Sequence, residues 1–230
     1  MNMVVFDLDD TLYPEVEFVR AALRAAGDHL DRLLGRATHA SRVFVQVMEQ
    51  EGVHEVFQKG LARIGVEASA PLMAELVAAY RNCEPPLSLY PGVRELLSTL
   101  RAQRRSLGLL TDGPLALQRA KVRALGLSDT FDVVVFTDAL GGREFYKPHP
   151  AGFIAVERAS GLSGPAITMV GDRPLNDLVP AAARGWRTIR VRHAGGFHAT
   201  RADPDPARPV ADSVRDLARL LGCGSPEPAV

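Results

Sequence analysis

The sequence predicts an α/β protein built on a parallel β-sheet with helices on both faces and a block of helices inserted after the first strand. Three observations carry that prediction. Short apolar runs, most of them rich in β-branched residues and bounded by Asp, Gly or Arg, recur along the chain. Between them lie segments whose apolar residues repeat at helical spacing, and strands alternating with such helices imply parallel pairing. One long stretch, residues 15–84, keeps helical spacing and contains no convincing strand.

The first run, Met3-Val4-Val5-Phe6, is short enough for a buried strand. Residues 107–110, 133–136, 167–170 and 188–191 repeat the pattern. Within the long insertion, Val16, Val19, Leu23, Ala26, Leu30 and Leu33 fit one helical stripe. Val53, Val56, Phe57, Leu61 and Ile64 fit another, and Leu72, Leu76 and Tyr80 a further one. About four helices are expected there, bounded by Pro14 and by Pro85-Pro86. Inserted at the C-terminal end of a parallel strand, such a block would lie over the crevice where these sheets bind ligands. The expected division is a catalytic core of residues 1–14 and 86–230 and a helical cap of residues 15–85. After the insertion, Val93, Leu96, Leu97 and Leu100 form a stripe. Leu115, Val122 and Leu125 form the next, closed by Gly126. Phe153, Ile154 and Val156 begin a third, and Leu175, Leu178, Val179 and Ala182 make a fourth that ends at Gly185. Three prolines in residues 203–209 predict a linker or extended loop. Val214, Leu217, Leu220 and Leu221 predict a last helix, and residues 225–230 a frayed end.

Composition narrows the function. The 230 residues are 47% hydrophobic and 23% charged, with 27 basic and 27 acidic side chains. That balance excludes a disordered chain and a coiled coil. With zero formal net charge, no global basic field favours nucleic acid or an anionic membrane, so neither is expected as a partner. No run approaches 18 apolar residues and the N-terminus reaches acidic residues too soon for a signal peptide. Cys83 and Cys223 stand far apart in no metal-like spacing. A cytoplasmic location is therefore expected. Lysine is rare, only Lys59, Lys121 and Lys147 among many Arg, so a retained lysine is a mild hint of a role.

Four motifs sit at predicted strand ends. After the first strand comes Asp7-Leu8-Asp9-Asp10-Thr11, whose Asp7 and Asp9 share a side in extended chain. Two close carboxylates repel unless a cation lies between them. The second strand ends Thr111-Asp112-Gly113-Pro114, where a hydroxyl and free amides at a helix start suit an anion. Lys147 follows in Phe145-Tyr146-Lys147-Pro148-His149-Pro150, where prolines stiffen the loop that aims it. The fourth strand ends Gly171-Asp172-Arg173-Pro174-Leu175-Asn176-Asp177. Singly, each has an ordinary explanation: acidic decoration of a loop, a helix N-cap, a solvated lysine. All four in this order are far less expected by accident.

Together they resemble the haloacid dehalogenase superfamily, over residues 3–192. The family's Asp-x-Asp-x-Thr matches Asp7 to Thr11. Its strand-end Ser or Thr matches Thr111, its lysine often followed by Pro matches Lys147, and its Gly-Asp with a second Asp matches Gly171 to Asp177. The resemblance implies a Rossmann-like core with a small helical cap, and Mg²⁺-dependent hydrolysis of a small phosphorylated metabolite. It implies Asp7 as nucleophile, Asp9 as general acid and base, and Lys147 balancing charge between Asp7 and the phosphoryl group. Thr111 and the backbone around Asp112 would hold phosphate oxygens. Asp7, the Asp9 backbone carbonyl and Asp172 would bind the metal, with Asp177 orienting water or neighbouring groups behind them.

Within that resemblance, Asp9 argues against a dehalogenase, which lacks this second acid. The insertion holds only Lys59 as a candidate Schiff-base lysine, against a phosphonate-cleaving enzyme. A sugar phosphomutase keeps the same four motifs and stays open, as does a phosphate-binding module without catalysis, although Asp7, Asp9 and Lys147 are all retained. A signalling receiver domain carries its phosphoacceptor on the third strand and no such insertion. No Gly-x-Gly-x-x-Gly follows the first strand, against a dinucleotide-binding domain. His193 and His198 flank Gly195-Gly196 and read as loop residues rather than metal ligands; Trp186 and Phe153 read as core. The substrate is open among sugar phosphates, phosphoglycolate and nucleoside monophosphates, and oligomeric state is not legible.

Overall fold

The computed structural model describes residues 2–223, so the end expected to fray at residues 225–230 lies outside the described residues. The chain forms two compact units, one of Met1–Glu15 with Leu87–Val230 and one of Val16–Pro86.

The larger unit is built on a six-stranded sheet of β1 (Met3–Phe6), β2 (Ser106–Thr111), β3 (Val133–Phe136), β4 (Ile167–Gly171), β5 (Arg187–Val191) and β6 (Val210–Ala211). The order is β3-β2-β1-β4-β5-β6 and every neighbouring pair is parallel. The chain first builds outward from β1 through β2 and β3, then returns to the other side for β4, β5 and β6. Between β1 and β4 the order therefore reverses, which makes a crevice at the strand ends where such sheets bind ligands. Phe6 lies beside Leu109 on one side and Val170 on the other, so β2 runs two residues and β4 one residue past the end of β1. Beyond the strand, Asp7 N still donates to Val170 O at 2.9 Å.

The smaller unit is helical: α1 (Glu15–Leu34, whose first residue belongs to the larger unit), α2 (Ala40–Glu51), α3 (Val56–Arg63) and α4 (Ala70–Arg81). Phe18, Leu23, Phe44, Leu61 and Leu76 are fully buried. Phe18 packs edge-on against Tyr80, and Phe44 against Phe57. α1 meets the start of α2 so closely that a Cβ on Gly27 would lie 2.1 Å from Ser41 N. Only glycine fits there.

Helices α5 (Val93–Ala102), α6 (Leu115–Ala124), α7 (Ala151–Ser160), α8 (Val179–Ala183) and α9 (Val214–Leu220) complete the larger unit. α5 packs on β2, α7 on β2 and β3, α8 on β5, and α9 on β5 and β6. β1 is buried along its whole length, as a central strand covered on both faces must be. Met3 and Val5, pointing to one face, join Leu110, Val133, Met169, Phe153 and Trp186 in a single cluster. Phe153 and Trp186 meet edge to face at 5.6 Å, in the core as expected.

The five strands and the helices between them stand where the periodicity puts them, with three differences. β6 was not expected, because two residues carry no alternation for a pattern to show. The stripe at Leu175, Leu178, Val179 and Ala182 is not one α-helix. A wide π-type turn over Pro174–Leu178 precedes α8, which rotates Leu175 and Val179 toward solvent. Leu33 and Val53 are exposed rather than packed, since both lie where their helical stripe is ending or has not begun. The proline-rich segment before β6 is an irregular loop, and buried Arg208 staples it through Asp203 at 3.0 Å.

Candidate active site

Three strand ends and one loop bring the four motifs together. Asp7 follows β1, Thr111 ends β2 and Asp172 follows β4. Lys147 arrives on the loop before α7, through a cis peptide bond to Pro148. Its position is fixed by its own backbone: Lys147 N donates to Asp112 Oδ1 at 3.0 Å, and Asn176 Nδ2 donates to Lys147 O at 2.6 Å. The ammonium then reaches Asp7 Oδ1 at 2.5 Å, Asp177 Oδ1 at 2.7 Å and Leu110 O at 3.1 Å. Its side chain is 1% exposed.

Asp177 comes from the π-type turn, and its Oδ2 accepts from Arg173 N at 3.0 Å. Gly171 makes this placement possible, since a Cβ there would lie 2.6 Å from Asp177 Oδ2. Carboxylate oxygens of Asp7, Asp172 and Asp177 all lie within 4.8 Å of one another, and all three residues are buried. Such a group is short of positive charge. Burial first, then Asp177 and Asp9, push Asp7 up to about 7 although Lys147 pulls it down. Burial, Asp177 and Asp7 push Asp172 well above the usual carboxylate range. Burial acts against the charge of Lys147, but Asp177 and Asp7 outweigh it and raise the lysine above its ordinary value. Asp172 Oδ1 is buried with no hydrogen-bond partner. Hard oxygen donors, excess negative charge and one orphaned buried oxygen fit a divalent cation such as Mg²⁺.

Asp9, two residues on, stands in different company. Its Oδ1 accepts from Lys121 Nζ at 2.6 Å and from the Tyr13 hydroxyl, and its Oδ2 accepts from Gln118 Nε2 at 2.9 Å. Burial pushes this carboxyl up, but the charge of Lys121 and the hydrogen bonds from Lys121, Tyr13 and Gln118 outweigh it and hold it low. The Asp9 carboxylate is thus not part of the Asp7–Asp172–Asp177 group. Thr111 is buried, and its Oγ1 accepts from Gln118 Nε2 at 2.6 Å. The Asp112 side chain is occupied structurally, accepting from Thr137 Oγ1 at 2.8 Å as well as from Lys147 N.

Asp10 shapes the loop around them. It sits at φ 51°, a left-handed conformation that Asp tolerates, and accepts from Glu15 N at 2.9 Å and Phe197 N at 2.7 Å. Neither His193 nor His198 belongs to a metal-competent cluster among the described residues.

Tyr13, Gln118 and Lys121 were not singled out as site residues from the sequence. The one signal for Lys121 was the rarity of lysine. Gln118 and Lys121 lie three apart on α6, hence on one face, and both are buried.

A family model described as haloacid dehalogenase-like hydrolase matches residues 1–185. The chain belongs to the haloacid dehalogenase-like hydrolases. Among relatives of these hydrolases, a glyceraldehyde 3-phosphate phosphatase of Methanopyrus kandleri is 32% identical, over 95% of this chain and 99% of its own length. A phosphoglycolate phosphatase of Cereibacter sphaeroides is 31% identical, over 84% of this chain and 88% of its own length. A solved haloacid dehalogenase-like phosphatase from Thermococcus onnurineus superposes with a TM-score of 0.64, covering 98% of this chain and all of its own, at 24% identity. That likeness is one of fold. No helix among the described residues is long and apolar enough to cross a membrane.

Proposed function

We propose that this hydrolase cleaves a small phosphomonoester through an aspartyl-phosphate on Asp7. The observation that carries the reading is the contact of Lys147 with Asp7 at 2.5 Å inside a buried group of three carboxylates. Phosphate monoesters resist water so strongly that enzymatic accelerations reach about 10²¹-fold, and much of that comes from charge placed against the phosphoryl group. An anionic nucleophile attacking an anionic ester needs that charge cancelled. Two unit charges ~4 Å apart attract by about 4 kcal/mol at an effective dielectric of ~20, against ~1 in water. Lys147, almost wholly out of solvent, supplies one such cation.

Asp7, Asp172 and the backbone carbonyl of Asp9 would hold a Mg²⁺ ion, with Asp177 behind them. When bound, the ion would neutralise phosphate charge and draw Asp7 into its ionised form. Asp7 attacks phosphorus as the phosphorus–alkoxide bond breaks. Asp9, ionised in the free protein, takes up a proton from solvent as the substrate's negative charge arrives beside it and passes that proton to the departing alkoxide, then takes a proton from the water that cleaves the acyl phosphate. Thr111 donates to a phosphate oxygen. The helical unit of residues 15–85 is read as a cap that excludes water during the first step. The relatives named above make glyceraldehyde 3-phosphate and phosphoglycolate the first substrates to try.

The test is phosphate release from a panel of monoesters containing both, with Mg²⁺ and with chelator, beside Asp7→Asn. Metal-dependent turnover lost by at least about 10³-fold in Asp7→Asn is expected, as for removal of a nucleophile. Turnover that survives Asp7→Asn, or no turnover of any monoester by folded protein with Mg²⁺, would overturn the reading.

A further inference from the structure

Asp9 is held at both oxygens, and the donors come from two separated parts of the chain. Tyr13 lies on the loop that carries Asp9, whereas Gln118 and Lys121 project from one face of α6. Stability alone is a poor reason for this arrangement. Lys121 is 5% exposed, and a buried ion pair is commonly no better than well-packed apolar side chains of the same volume. Gln118 does more than share the load. Its amide nitrogen has two protons, and it lies 2.9 Å from Asp9 Oδ2 and 2.6 Å from Thr111 Oγ1. Thr111 Oγ1 accepts this bond and donates only a long one, 3.5 Å to Asp112 O, which its hydroxyl proton can exchange for an oxygen of the substrate. One amide thereby sets the orientation of both the acid/base carboxylate and the phosphate-holding hydroxyl.

We infer that Tyr13, Gln118 and Lys121 form a cradle that aims the Asp9 carboxylate and registers it against Thr111, so that Lys121 and Gln118 are positioning residues for the acid/base steps. The inference rests on the reading of Asp9 given under Proposed function. It adds α6 to the elements that build the site, and it gives a role to a lysine that the four family motifs leave out.

Two substrates separate positioning from general support of the fold. A p-nitrophenyl ester needs no proton on its leaving group, whereas an alkyl phosphate such as glycerol phosphate does. In Lys121→Met and in Gln118→Leu, kcat for the alkyl phosphate should fall by about 10²-fold or more, the usual worth of a positioned acid or base. In Lys121→Met KM should stay within about threefold, since substrate contacts made in the ground state are kept, whereas Gln118→Leu should also raise KM because it frees Thr111. With p-nitrophenyl phosphate, p-nitrophenolate should appear in a fast burst and then slowly, because the second step still needs Asp9 as base. Equal losses on both substrates with no burst would contradict the cradle.

A cycle read by melting temperature needs no turnover. Lys121→Met should lower Tm more in the wild-type background than in an Asp9→Asn background, where only its remaining interactions, such as that with Glu15, are left to lose. The same loss in both backgrounds would overturn the cradle. Should the wild type cleave neither ester, the phosphatase reading fails, and the Tm cycle still decides whether Lys121 holds Asp9.

Discussion

Two aspartates two residues apart each meet a buried lysine, yet the two environments differ in kind. Asp7 shares Lys147 with Asp177 and lies beside Asp172, so one ammonium serves a group of three buried carboxylates. Asp9 receives Lys121 together with two neutral donors, Tyr13 and Gln118. Burial pushes both carboxyls up. Around Asp7 the neighbouring acids add to burial and the group ends near 7; around Asp9 the donors win and the group ends below its ordinary value. The lesson is that spacing alone does not assign a carboxylate its role. A site short of positive charge is built to take a cation and a phosphate. A site already filled with donors is built to hold one side chain still.

The largest expected effect breaks the first environment. Lys147→Met leaves Asp7, Asp172 and Asp177 without their ammonium, and removing one partner of a buried pair costs about 3–5 kcal/mol. Urea denaturation of metal-free protein at pH 7.5 should record that loss, with much of it regained when Mg²⁺ is added.

An intermediate effect comes from pH, and its sign differs between the two aspartates. A carboxyl whose folded pKa is raised keeps its proton in the folded state after the unfolded chain has released it. Stability of metal-free protein therefore falls as pH rises from about 4 to about 7 on account of Asp7. Asp7→Asn removes that dependence, so its Tm should gain on the wild type across this window and then level off. Asp9 has a lowered folded pKa, so its contribution is present above about pH 4 and is lost as pH falls through the folded value. Asp9→Asn should accordingly lose Tm relative to the wild type at neutral pH and approach it in acid. Melting curves from about pH 2 to pH 8 read both.

The smallest effect lies in the second environment. Tyr13→Phe removes one donor from Asp9 and leaves Lys121 and Gln118 in place, so it should cost about 1.5–3 kcal/mol, the range for a hydrogen bond to a charged group. A cost as large as that of Lys147→Met would mean that the two environments do not differ in kind.

Much of the sheet and the first environment was legible in the sequence, and the second was not. β1, β4 and β5 announce themselves because short β-branched runs end abruptly in Asp, Gly or Arg, β2 by its short apolar run before Thr111-Asp112, and the parallel order then puts Asp7, Thr111 and Asp172 at one edge. β6 is too short to have a period. The π-type turn at Pro174–Leu178 shifts the register of a stripe that otherwise reads as one helix, and that shift presents Asp177 to Lys147. Gln118 and Lys121 escape for another reason. Polar residues between the apolar positions of an amphipathic helix are ordinarily solvated, so nothing local marks these two as buried. What buries them is Asp9, more than a hundred residues away, and a contact at that separation leaves no periodicity.

The most direct test of this division is Mg²⁺ binding itself, followed by calorimetry at pH 7.5 on the wild type, Asp172→Asn and Asp9→Asn. Asp9→Asn keeps the backbone carbonyl expected to reach the metal and disturbs only the cradle. The account predicts that Asp9→Asn binds Mg²⁺ within about threefold of the wild type, while Asp172→Asn weakens binding at least about tenfold, or about 1.4 kcal/mol. Undiminished binding by Asp172→Asn, or binding abolished in Asp9→Asn, would contradict it.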